Sequence, residues 1–370
     1  RCGMNPPVRV LIADDSALFA EAIASALEED GEIEVAGVAT DGRWAVELTE
    51  ALCPDLVLMD VRMPVMDGLS AVEAIMSRRP TPILVMTADP AGRTGELSFE
   101  ALRRGALELV PKPTGFSGTR SERIELRERI KLLARVRTVR MRSPRRDVHP
   151  PAEPAALRGP EPCRRRSSRE LRAPSSVVAI GASTGGPLAV LAILSRLPRD
   201  FPLPVLLVQH LSRGFCGQFA SWLGQASGMP VTIVTQPTRV GPGAVYLAGD
   251  AAHMVLGRGG EVLPHPARTR NGHIPSVDTL FESVADAYGD RSLGVLLTGM
   301  GSDGAAGLLT RRDRGAIPIA QDAASSVIYG MPRAAKELGA ARSILPLSEI
   351  PAAICRYAMV EPLLVAEGHR

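Results

Sequence analysis

The chain has 370 residues, 45% of them hydrophobic and 22% charged, with a formal net charge of +3. That is the profile of a globular chain with room for two or three domains. No apolar run approaches the ~18 residues needed to cross a bilayer, and the opening residues RCGMNPP carry no apolar core of a secretion signal. The five cysteines, Cys2, Cys53, Cys163, Cys216 and Cys355, are scattered and form no CxxC. This argues against a disulfide framework or a zinc site and for a reducing, cytoplasmic setting. Positive charge is concentrated between Arg135 and Arg172, where twelve arginines face Asp147, Glu153, Glu161 and Glu170. The remainder of the chain is therefore net negative.

From Val8 to about Arg137 the pattern alternates strand and helix. Val8–Ala13, Ile33–Ala39, Leu56–Met59, Ile83–Met86 and Leu107–Val110 read as buried parallel strands. Ser16 suits the cap of a helix whose inner face carries Phe19, Ile23, Ala26 and Leu27. Such βα repeats predict a doubly wound parallel sheet with right-handed crossovers. The polar residues that stand out all follow predicted strands: Asp14 and Asp15, then Asp60, Thr87 and Lys112. Open α/β sheets bind ligands on that edge. Three carboxylates brought together repel unless a hard cation lies between them, and Mg²⁺ takes oxygen ligands. Thr87 and Lys112 are suited to the oxygens of an incoming phosphoryl group, and Asp60 to its acceptance.

The stretches VLIADDSAL, PDLVLMDVRMPVMDGL, ILVMTA and LVPKP resemble the receiver domain of two-component response regulators, over residues 8–137. The resemblance implies that a histidine kinase phosphorylates Asp60. It also implies that Asp14, Asp15 and Asp60, with the backbone carbonyl of Arg62, hold Mg²⁺. One position departs from the family pattern: Leu109 stands where an aromatic residue is usual.

Ser121–Arg137 has helical periodicity through Ile124, Leu126, Ile130, Leu133 and Val136. Residues 138–174 are rich in Arg, Pro and Ser, with little apolar periodicity, and read as a flexible linker. Arg164-Arg165-Arg166 is either solvated or a contact for something acidic. No nucleic-acid-binding motif follows it, so no nucleic-acid partner is expected.

Residues 175–360 form a second, larger α/β pattern. Val177–Ile180 runs into Gly181-Ala182-Ser183-Thr184-Gly185-Gly186-Pro187, a glycine-rich turn ahead of a helix with Leu188, Leu191 and Leu194 at helical spacing. Taken alone, this turn fits a phosphate cradle, a simple loop closure or an exposed nucleophile. Pro204–Val208 is a strand ending at His210. Val231–Val234 is a further short strand. Gly241–Leu247 and His253–Leu256 read as an antiparallel hairpin. Leu293–Leu297 leads to Thr298-Gly299-Met300-Gly301-Ser302-Asp303-Gly304, and Ile317–Ala320 and Ile344–Leu347 complete the strands. Ser183, His210 and Asp303 thus follow three strands. Serine needs a base, imidazole can serve as one, and a carboxylate fixes the imidazole tautomer. Gly181–Gly185 fits G-x-S-x-G, but the order Ser, His, Asp is not that of α/β-hydrolases.

AIGASTGGP, LLVQHL, IPSVDTLF, LLTGMGSDGA and SSVIYGMP resemble the catalytic domain of chemotaxis protein-glutamate methylesterases. The resemblance implies a triad of Ser183, His210 and Asp303, with Thr184 and Met300 lining the site. It implies demethylation of glutamate methyl esters on methyl-accepting chemoreceptors with release of methanol, and deamidation of receptor glutamines. No cofactor is expected for the esterase chemistry, no membrane insertion, and a monomer. A phosphorylation-controlled scaffold with an inactive esterase domain is the competing reading, and a basic nucleic-acid binder the third.

Overall fold

The structure, a computed structural model, describes residues 6–88, 99–113, 115, 118–136, 138 and 176–359. Most of the Arg/Pro-rich segment 138–174 lies outside these residues. The first sheet contains Val8–Ala13 (β1), Ile33–Ala39 (β2), Leu56–Asp60 (β3), Ile83–Thr87 (β4) and Glu108–Pro111 (β5). Its order is β2-β1-β3-β4-β5, and every pairing is parallel. β3 and β4 are buried at every residue, which is why they read as unbroken apolar runs. The helices Ala17–Leu27 (α1), Gly42–Leu52 (α2) and Gly68–Arg78 (α3) start at Ser16, Asp41 and Asp67. The side chains of these caps accept hydrogen bonds from the N–H groups of Phe19, Trp44 and Ser70. Gly68 is forced: a Cβ there would lie 2.0 Å from the Asp60 carbonyl oxygen.

A fourth helix is described over 99–103 (α4). The fifth, Arg120–Leu133 (α5), opens on a Thr119–Glu122 capping box, one residue before the periodicity at Ser121 becomes visible.

The second unit is built on a seven-stranded, wholly parallel sheet. Its strands are Val177–Ala182 (β6), Val205–Gln209 (β7), Val231–Val234 (β8), Val245–Ala248 (β10), Ser292–Leu296 (β13), Ile317–Gln321 (β14) and Ser343–Leu345 (β15). Their order is β15-β14-β13-β6-β7-β10-β8. A small antiparallel sheet joins Thr238–Arg239 (β9), His253–Leu256 (β11) and Glu261–His265 (β12). The expected hairpin exists one strand later than its sequence assignment: β11 pairs with β12, whereas Val245–Ala248 joins the parallel sheet between β7 and β8. The helices are Gly186–Leu194 (α6), Cys216–Ser227 (α7), Val277–Tyr288 (α8), Ala305–Asp313 (α9), Met331–Glu337 (α10) and Ile350–Ala358 (α11). In α6 the inward face is Ala189, Val190, Ile193 and Leu194, and Leu188 turns outward. No helix among the described residues is long and apolar enough to cross a membrane.

The two units pack together. Phe99 of α4, 1% exposed, lies against three aromatic rings around α7. Its centroid is 5.5 Å from Trp222, 5.6 Å from Phe219 and 6.0 Å from Phe215, the last edge-on.

One core position is unusual. Arg311 of α9 is fully buried, and none of its three guanidinium nitrogens has a hydrogen-bond partner among the described residues. The Phe281 ring lies 5.3 Å from it, and Gly294 of β13 leaves the space it fills. Burial pushes its pKa down to about 9, so it is still charged at neutral pH. An unpaired buried charge is costly, and apolar replacement of even paired buried charges is often neutral or stabilising by about 1–4 kcal/mol. Arg311→Met is therefore expected to raise the calorimetric unfolding transition of the second unit. An unchanged transition would overturn this expectation, and a lowered one would show that the guanidinium stabilises the fold.

Candidate functional site

Two sheet edges gather chemistry. On the first, ligand oxygens of Asp14, Asp15 and Asp60 lie within 4.8 Å of one another. Asp14 is buried at the end of β1, and Asp15 is exposed beside it. Lys112 follows β5 and spans the cluster, its Nζ 2.5 Å from Asp14 Oδ2 and 2.8 Å from Asp60 Oδ2. Burial raises the Asp60 carboxyl above the usual range, although the Lys112 bond and charge oppose it. Asp60 Oδ1 accepts from the Arg62 N–H at 3.4 Å. Thr87 is buried at the end of β4, and its carbonyl accepts from the Lys112 N–H at 2.8 Å. Hard carboxylate oxygens with a cation already drawn between two of them make a donor set suited to Mg²⁺. The five residues predicted from strand ends therefore meet at one edge.

On the second edge β6 lies between β13 and β7. Ser183 follows β6, His210 follows β7, and Asp303 lies in the loop between β13 and α9. The Ser183 turn is held at several points. Its N–H donates to the Thr298 carbonyl at 3.0 Å, and the Gln209 side-chain amide donates to its carbonyl at 2.8 Å. The same amide donates to the His210 carbonyl at 2.9 Å, so Gln209 ties the two turns together. The Thr298 hydroxyl donates to the Thr184 carbonyl at 2.9 Å. Gly299 allows the close approach: a Cβ there would sit 2.6 Å from that of Ser183.

His210 Nε2 is 3.0 Å from Asp303 Oδ2, while its Nδ1 is buried without a hydrogen-bond partner. Asp303 is 1% exposed and heavily bonded. Its oxygens accept from the Ser276 hydroxyl at 2.9 Å and from the N–H groups of Val277 at 2.7 Å and Asp278 at 3.1 Å. These two N–H groups are at the start of α8, where the helix dipole favours an anion. Burial alone would raise the Asp303 carboxyl. The bond and charge of His210 and the two helix N–H groups outweigh it and hold the group well below the usual carboxylate range.

Ser183, Thr184, His210 and Met300 line one cavity of about 330 Å³. The opposite wall comes from the first unit, with Glu108, Leu109 and Arg129 among its residues. Leu109, at the usual aromatic position, thus borders this cavity. Glu108 Oε1 is 2.9 Å from Arg129 Nη1, and burial raises its carboxyl despite that charge. The Thr184 side chain adjoins the same carboxyl, whose Oε2 has no hydrogen bond of ordinary geometry.

Sequence reasoning found Ser183, His210 and Asp303, and Ser276 as the cap of α8, but missed Gln209, His273, Glu108 and the bond from Ser276 to Asp303. Gln209 directly precedes His210, and His273 and Ser276 lie in NGHIPSVDTLF, so the signal was adjacency to the motifs. Glu108 had none, because its place depends on how the two units pack.

Comparison with known proteins divides along the two sheets. Residues 10–121 match the response regulator receiver domain, and residues 178–354 match the CheB methylesterase. The chain is a response regulator whose output domain is an enzyme. It is 44% identical over 356 residues to protein-glutamate methylesterase/protein-glutamine glutaminase 4 of Geobacter metallireducens, covering 95% of this chain and 99% of that protein. It is 43% identical to protein-glutamate methylesterase/protein-glutamine glutaminase 2 of Anaeromyxobacter dehalogenans, covering 95% and 97%. Among solved structures, the Thermotoga maritima CheB methylesterase catalytic domain is 34% identical with a TM-score of 0.47, covering 49% of this chain and 97% of that one. The chain belongs to the protein-glutamate methylesterase/protein-glutamine glutaminase family.

Proposed function

We propose that this protein is a phosphorylation-regulated serine hydrolase of chemotaxis-type adaptation. It removes methyl groups from glutamate γ-methyl esters on methyl-accepting chemoreceptors, deamidates receptor glutamines, and acts in the cytoplasm. Residues 8–137 form the receiver, 138–174 a linker and 175–360 the catalytic domain. The observation that supports the chemistry best is the His210 imidazole, bonded to Asp303 through Nε2 with Nδ1 unpartnered, in the cavity that Ser183 lines.

Ser183 Oγ attacks the ester carbonyl carbon as His210 Nδ1 takes its proton. Asp303 holds the tautomer and stabilises the imidazolium. The Ser183 N–H is committed to Thr298, so the oxyanion is met by donors of the Thr184-Gly185 turn, with Met300 shaping the pocket. The C–O bond to methoxide breaks as His210 returns its proton, and methanol leaves. Water, deprotonated by His210, then attacks the acyl carbon, and the bond to Ser183 Oγ breaks as His210 returns the proton to it, leaving glutamate and free serine. For a glutamine, ammonia leaves in place of methanol.

In the receiver, Asp60 accepts the phosphoryl group from a histidine kinase. Asp14, Asp15, Asp60 and the Arg62 carbonyl would hold Mg²⁺, which neutralises charge as the phosphoryl group arrives. Lys112 and Thr87 then bind the phosphoryl oxygens. In the packed arrangement the receiver forms a wall of the Ser183 cavity, which blocks a receptor helix. Phosphorylation shifts the population toward an open state.

The test is methanol release from methylated receptor with and without a small-molecule phosphodonor and Mg²⁺. Release is expected in both, faster with the donor by at least about tenfold. Absence of methanol under both conditions would favour the scaffold reading.

A further inference from the structure

His273 stacks face to face on His210, ring centroids 4.0 Å apart and planes 10° from parallel. It comes from a tight turn, with reciprocal backbone hydrogen bonds between Arg270 and His273 of 3.1 and 2.9 Å. Asn271 and Gly272 at its tip both have positive φ, 52° and 82°. The turn is fastened to α8 twice. Arg270 pairs with Glu282, and Asn271 Nδ2 donates to Asp278 Oδ2 at 3.0 Å. The same helix presents its first N–H groups to Asp303. The stacking ring and the triad carboxylate are therefore fixed to one rigid element.

We propose that His273 is a positioning residue for the hydrolysis: its ring holds the plane of His210, so that Nε2 stays on Asp303 and Nδ1 faces the serine. This rests on the triad reading above. The His210 ring can turn about χ2 only by passing through an orientation perpendicular to its present one. A parallel ring at 4.0 Å stands in that path. When His210 gains its proton, the charge develops against an aromatic face, a favourable arrangement provided that the face is neutral. The charged and titratable groups acting on His273 are His210, Asp303 and Arg129. Burial first, then the His210 charge, pushes its pKa down to about 4, so it is neutral at neutral pH. An imidazole so reluctant to hold a proton is a weak proton acceptor. Its contribution is planar and steric.

The experiment compares His273→Ala, His273→Leu and His273→Phe in the full chain, with phosphodonor and Mg²⁺, by methanol release from methylated receptor across pH. Ala and Leu are expected to lower kcat by about 10- to 100-fold, with KM within about twofold of wild type. Phe restores the flat ring without its nitrogens. It should recover kcat to within about threefold and keep the acidic limb of the kcat profile where wild type has it. Leu keeps the site filled, so it decides the matter if Ala does not fold. Wild-type kcat in Leu would overturn the proposal. So would a Phe variant as slow as Leu, which would assign chemistry to a ring nitrogen. If Ser183→Ala still released methanol, the triad reading itself would have failed, a result separate from both.

Discussion

Ser183→Ala is expected to abolish methanol release from methylated receptor, lowering kcat by about 10⁴- to 10⁶-fold, while Asp60 still accepts a phosphoryl group. The reasoning starts from the turn. Ser183 is fixed by its own N–H on Thr298 and by the Gln209 amide on its carbonyl. Truncating its side chain removes Oγ and leaves every one of those backbone bonds in place. Residual activity should be at the level that a binding pocket with oxyanion donors gives without a nucleophile. The measurement pairs methanol release with labelling by a serine-directed phosphonate, which should modify the wild-type chain and not the variant. Undiminished methanol release would require another nucleophile.

Phe99→Ala should have the opposite effect, raising the activity of the unphosphorylated chain by about tenfold or more. Phe99 is 1% exposed and lies against Phe215, Phe219 and Trp222 across the junction of the two units. Loss of a buried Phe side chain costs about 3–5 kcal/mol in a core. Even half of that, taken from the packed arrangement alone, shifts a two-state equilibrium by more than tenfold. Phosphodonor should then add little to the variant's rate. Trp222 offers an independent readout, since its emission should shift red in Phe99→Ala, and the same shift is expected on phosphorylation of the wild type. An unphosphorylated variant as slow as wild type would separate this aromatic contact from control of the site.

Much of this was legible in the chain because its central strands are buried on both faces. β3, β4, β6, β7 and β13 are buried at every residue, and such strands appear as short apolar runs. A polar residue just past such a run stands out, which is how Asp60, Ser183 and His210 became visible. Asp303 needed the glycine-rich loop that follows β13. Edge elements were harder to read. β12 carries a Pro and a His and has only Val262 fully buried, so β11 was paired with the wrong neighbour. The inward face of α6 was not legible, because nearly all its residues are apolar and leave periodicity nothing to distinguish. His273 was passed over for a different reason. Its position depends on a turn with two positive-φ residues and on α8, and no local pattern encodes a ring lying flat on another ring.

Asp303 bonds the Ser276 hydroxyl and the N–H groups of Val277 and Asp278 as well as His210. Ser276 is also the cap of α8, accepting from the Thr279 N–H. The carboxylate is thus a structural anchor for the helix start, and its removal strands several buried donors, each at a cost of about 1–3 kcal/mol. An inactive Asp303 variant would therefore confound lost chemistry with a loosened helix. Ser183 is the better position for a catalytically dead reference protein, because its side chain can be removed without taking away any bond that holds the site in shape.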